Sequence, residues 1–132
     1  MRKKVFCISI LFILIFSGCK DYEIIDSKPG VPINTVTNLT SAISGTNVTL
    51  SWTLPTSYPN DILQPVSVMV AININGQLVE TKEVLNSPIS FTYSSYDLAK
   101  KYRFTVKVKG NVDTKDLTFS NLRYSLGQTV EL

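Results

Sequence analysis

The chain has 132 residues, with 13 Lys and Arg against 10 Asp and Glu, no histidine and two cysteines. Arg2, Lys3 and Lys4 account for the net charge of +3, so the rest of the sequence is balanced and gives no support for a nucleic-acid or acidic-polymer partner. The lack of histidine removes the usual general base and most transition-metal sites, and the length suits one domain of about a hundred residues around one core.

Arg2-Lys3-Lys4 is followed by an apolar run from Val5 to Phe16 and then by Ser17-Gly18-Cys19. As a helix that run covers about 18 Å, well short of a hydrocarbon core of about 30 Å. It therefore reads as a removable export segment, residues 1–18, rather than a membrane span. Ser17 and Gly18 give a peptidase access to the backbone, and Cys19 presents a thiol. The segment resembles the bacterial lipobox, with Phe16 where that motif usually carries Leu, Val or Ile. The resemblance implies a diacylglyceryl group on Cys19 and an acyl chain on its freed amine; the alternative is an ordinary secretory signal with Cys19 left unmodified. Two or three acyl chains, at about 0.8 kcal/mol per buried methylene, anchor a protein durably. Cys7 leaves with the leader and Cys19 takes the lipid, so neither a disulfide nor a free thiol is expected, and no cofactor beyond the covalent lipid.

Residues 19–34 read as a lipidated, flexible tether. Pro29, Gly30 and Pro32 suppress both helix and ladder there, which predicts an extended and mobile chain. The alternative is an edge strand through Tyr22-Glu23-Ile24-Ile25. Lys20-Asp21-Tyr22-Glu23 resembles the acidic export signals that send lipoproteins of Bacteroidota to the cell surface, and so implies an outer-membrane protein facing outward.

From Thr35 the hydrophobic period is two. Val48, Leu50 and Trp52 alternate with polar neighbours, as do Val66 to Ile74 and then Tyr102, Phe104, Val106 and Val108. Such runs are half-buried antiparallel strands. Asn75-Gly76 tolerates the positive φ angles of a two-residue hairpin into Gln77–Leu85. Further strands are expected at Val36–Ser44, Ile89–Tyr93 and Tyr124–Leu132. Seven strands at this spacing predict an all-β sandwich of immunoglobulin-like type over residues 35–132. Strands that reverse at every step place the loops Pro55–Pro65, Leu85–Pro88 and Gly110–Asn121 at the pole where the tether enters. The turns at Ser44–Thr46, Asn75-Gly76 and Ser94–Lys101 fall at the other.

Val48-Thr49-Leu50-Ser51-Trp52-Thr53-Leu54-Pro55 resembles the second strand of fibronectin type III domains. Leu98 to Val106 resembles their tyrosine corner and sixth strand, and Ser125 to Val130 suits the last. Joined to the lipobox and tether, the chain resembles small lipoproteins of Bacteroidota built on one such domain, many of which accompany glycan-capture systems. The phase of Trp52 with Val48 and Leu50 assigns it to the core. Tyr102 is expected to hydrogen-bond backbone near Leu98.

The open aromatics are Tyr58, in the proline-rich loop, and Tyr96, in the turn before the sixth strand; either ring could stack on a sugar face. The second pole faces away from a short tether, which favours Tyr96 over Tyr58 as a ligand contact. Asp61, Asp113 and Asp116 share the tethered pole but lack dense Asp-x-Asp spacing, so they read as solvated loop charge rather than a calcium site. No catalytic or metal-binding set emerges, and the chain is not expected to be an enzyme. The reading is a lipid-anchored binding or accessory module whose partner is an envelope protein or a polysaccharide. The alternative is a structural or assembly component with no small-molecule ligand. A sugar site should show a pair of exposed aromatics; an assembly role should show an uncovered apolar patch or strand edge.

Overall fold

The computed structural model describes residues 30–115 and 120–132. Cys19, the leader, the segment Tyr22–Ile25 and Asp116 lie outside the described residues. Among the described residues eight strands form in chain order: β1 (Thr37–Ser44), β2 (Asn47–Thr53), β3 (Ile62–Ile74), β4 (Gln77–Val84), β5 (Ser90–Tyr93), β6 (Tyr102–Val112), β7 (Leu122–Tyr124) and β8 (Gln128–Glu131). They make two antiparallel sheets, β1-β2-β5 facing β4-β3-β6, with β7 and β8 both pairing the free side of β6. The fold is an all-β sandwich, as the period of two predicted.

Alternation along the strands builds the core. Val48, Leu50 and Trp52 from β2 meet Val66, Val68, Val70 and Ile72 from β3 and Tyr102, Phe104, Val106 and Val108 from β6, all buried. Each side chain of this size that leaves water contributes about 1.5–3 kcal/mol, which lets the core hold the fold. Trp52 is core, and its indole N–H donates to the Pro88 carbonyl at 2.8 Å. The Tyr102 hydroxyl donates to the Ser95 carbonyl at 3.2 Å and accepts from the Asp97 N–H at 3.1 Å, the backbone tie expected of it. Asn75 (φ 52) and Gly76 (φ 84) close the β3–β4 hairpin in the left-handed region, as that dipeptide predicted.

Three boundaries differ from expectation. The last strand is two strands, not one. Ser125 turns inward, and its Oγ accepts the Val108 N–H at 2.8 Å while donating to the Leu126 carbonyl at 2.8 Å. A side chain thus replaces a ladder partner, and the register against β6 slips by one residue between β7 and β8. This break gives eight strands in place of seven. At the other end of the sheet, β3 begins at Ile62 inside the proline-rich stretch, because a bulge between Leu63 and Ser67 absorbs Pro65, which has no N–H to donate. The packed chain also starts before Thr35, since Ile33 is 3% exposed and joins the core.

Candidate functional site

The two poles carry the loop sets that strand parity predicted. Asp113 N–H donates to the Asp61 carbonyl, and Ser87 N–H to that of Val66, so the loops after β2, β4 and β6 meet at one end. At the other, Asn75 N–H donates to Lys101 and Tyr96 N–H to Thr46, while Tyr102 and Leu132 exchange backbone hydrogen bonds.

The pole at which Gly30–Ile33 enters the sandwich is organised by Arg123, which sequence reasoning did not single out. Its guanidinium grips the Asp61 carboxylate through two hydrogen bonds of 2.9 and 2.8 Å and donates to the Val31 carbonyl at 3.1 Å. The Arg123 side chain is 10% exposed and that of Asp61 27%. Asp61 is therefore a partner in a largely buried ion pair, not the solvated loop charge expected of it. The planar fork of arginine suits this two-point grip on a carboxylate. Gly30 lies so close that an added Cβ would stand 2.5 Å from Nη2, so the absence of a side chain there lets the chain pass over the guanidinium. The segment Gly30–Ile33 is accordingly clasped to the sandwich. The residue pattern around Arg123 resembles any exposed edge of a strand, and only the fold brings residue 61 to it.

A shallow groove of about 500 Å³ opens beside this clasp, lined by Val31, Pro32, Tyr58, Asn60 and Asp61 among others. Tyr58 is half-buried there, and burial pushes its phenol above the ordinary value. Tyr96, by contrast, is not open to a ligand. It is 8% exposed, with its ring centroid 5.0 Å from that of Tyr102, in a cluster that continues through Phe104 and Tyr93. The turn it occupies is exposed, but the ring folds back to close the second pole of the core. Tyr58 and Tyr96 therefore lie at opposite poles and do not form one platform. Among the described residues the exposed aromatic ring is Tyr124, at 46%. It borders a hollow of about 360 Å³ on the outer face of the five-stranded sheet, with Met69, Ala71, Thr105 and Lys107.

The two outer faces differ in charge. On the five-stranded sheet Lys109 bonds Glu83 at 2.9 Å, Ser67 donates to the same carboxylate at 2.8 Å, and Arg103 pairs with Glu131 at 2.7 Å. The Lys109 hydrogen bond, then that from Ser67, holds the Glu83 carboxyl below the ordinary glutamate value. The three-stranded sheet carries no charged residue on β1, β2 or β5. Its outer face is a field of hydroxyls and amides in which Thr49 and Thr92 share a hydrogen bond of 3.1 Å and Asn38 donates to Thr53 at 3.3 Å.

No group of three or more acidic or sulfur ligands able to hold a metal ion is found among the described residues, nor a helix long and apolar enough to cross a membrane. A family described as "Domain of unknown function (DUF4945)" matches residues 19–132. A search of curated proteins finds no match.

Proposed function

We propose that this chain, which belongs to the DUF4945 family, is a lipid-anchored envelope protein whose fibronectin type III-like domain serves as a non-enzymatic binding or accessory module. One observation carries the anchor: the family match begins at Cys19 and leaves out residues 1–18, the division that cleavage and lipidation at Cys19 would make. The strand order β1-β2-β5 against β4-β3-β6 and the Tyr102 backbone tie support the fibronectin type III-like reading. Such a fold hosts many functions, so the job rests on surfaces. Tyr58 and Tyr96 do not make a sugar platform, and the grooves are shallow, which favours a protein partner over a polysaccharide or a buried metabolite.

Cell fractionation of the Cys19→Ala chain tests the anchor, with loss from the membrane fraction expected and retention there opposing it. A pull-down from detergent-solubilised envelopes, run with and without soluble polysaccharides, tests the module. Recovery of a defined outer-membrane protein is the expected result, and elution by one glycan would move the partner class to polysaccharide. Recovery of the bait alone would favour the second reading, a structural or assembly component, to which the uncharged edge strand β1 lends support.

A further inference from the structure

We propose that β1 is a self-association edge, pairing antiparallel with β1 of a second copy to join two three-stranded sheets into one. The inference is independent of the accessory reading.

An edge strand presents unpaired backbone groups, and soluble proteins blunt it with charge, proline, bulges or shortness. Among the described residues, three of the four sheet edges follow that rule. β4 carries Glu80, Lys82 and Glu83, and its register breaks between Ile72 and Asn73 of β3. β5 has 4 residues. The β7–β8 edge is interrupted at Ser125–Gly127 and closes on the Arg103–Glu131 pair. β1 differs, with 8 residues, TNLTSAIS, and neither charge nor proline. Its irregularity lies between Thr37 and Thr40, so the stretch toward Ser44 is regular. β8 of the facing sheet comes near β1 without forming a ladder with it.

The edge complements itself. Ser44 and Asn47 flank the turn at Gly45-Thr46, so Ser44, Ala42 and Thr40 direct their backbone groups toward β2. Leu39, Ser41 and Ile43 then direct theirs outward. A two-fold axis at Ser41 pairs Ser41 with its own copy and Ile43 with Leu39 of the partner, forming roughly six backbone hydrogen bonds. Ile43 is 48% exposed on the core-facing side, opposite Val48, and this register covers it with Leu39. With no charge on either strand, nothing repels the second copy, and an isologous contact of this kind closes at two. The axis stands normal to the sheet, so the two Gly30 ends leave at opposite ends of the pair. Each is separated from Cys19 by a chain that spans at most roughly 35–40 Å, and both anchors enter one bilayer when the sheets lie along it.

The test is disulfide trapping of the purified full chain carrying Ser41→Cys. Mild oxidation should give a covalent dimer, while the parent chain, which controls for Cys19, and Ser51→Cys on β2 should not. Adding Ile43→Lys should lower the trapped fraction roughly tenfold, the effect of about 1.4 kcal/mol at the contact. In parallel, sedimentation of the parent chain under reducing conditions should show a concentration-dependent dimer that Ile43→Lys abolishes, while the two chains unfold at the same temperature when dilute enough to be monomeric. A monomer at every concentration, equal trapping through Ser51→Cys, or a dimer indifferent to Ile43→Lys would overturn the proposal.

Discussion

Replacing Arg123 with Ala tests whether the clasp on Gly30–Ile33 holds the fold as well as the chain's approach to it. Among the described residues the substitution removes two bonds to Asp61 and one to the Val31 carbonyl. Breaking a buried pair costs about 3–5 kcal/mol and an exposed one about 0–1 kcal/mol. Arg123 belongs to the first case, but Asp61, 27% exposed, keeps some access to water. The expected loss is therefore about 2–3 kcal/mol, or a fall of roughly 10–20 °C in the unfolding midpoint for a domain of this size. Trp52, the single tryptophan and 5% exposed, reports the transition by fluorescence in urea. Asp61→Asn and the double variant complete a cycle whose coupling should exceed about 1 kcal/mol and change little with added salt. An Arg123→Ala chain within about 0.5 kcal/mol of the parent, or a coupling near zero, would refute the reasoning.

Two further expectations concern single side chains. Tyr102→Phe keeps the buried ring and removes the hydroxyl shared by Ser95 and Asp97, so stability should fall by about 1–1.5 kcal/mol in urea melts; no change would mean that water replaces that tie at no cost. Glu83 is held below its ordinary value of 4.5 in the folded chain, so its contribution is full above that value and is lost as pH falls through the lowered one. The stability gap between the parent and Glu83→Gln should accordingly be widest at neutral pH and close in acid, and a gap that stayed constant would assign the effect to packing.

The sandwich was legible because each half-buried strand repeats at two, and because Asn75-Gly76 and Trp52 have uses that few other residues can fill. What stayed hidden was produced by pairing across the fold. The inward turn of Ser125 splits the last strand, yet a lone serine between Tyr124 and Leu126 carries no such mark. Tyr96 looked available because its neighbours Ser94, Ser95 and Asp97 are those of a surface turn, which is what they are; its ring alone turns inward to Tyr102. Arg123 and Asp61 are 62 positions apart. Local pattern describes the environment of a backbone segment, whereas a salt bridge between loops depends on which strand ends the topology brings together.

The placement of charge bears on how the molecule meets its surroundings. Lys and Glu on an exposed sheet favour solvation and deter wrong pairings, and the five-stranded sheet uses them in that way, with Glu83–Lys109 and Arg103–Glu131 spanning its outer face. The same protection would be needed on the three-stranded sheet if both faces met only water. Its outer face instead carries hydroxyls and amides, and its longest edge carries no charge. A stability requirement does not explain the difference, because surface charge contributes little to stability in either sheet. An association requirement does: a strand that pairs with another must keep charge off its edge, while one that must not pair keeps it on. The clasp at Arg123 acts on the same geometry from the other side, since fixing Gly30–Ile33 at one pole fixes the point on the sandwich from which the chain toward Cys19 leaves.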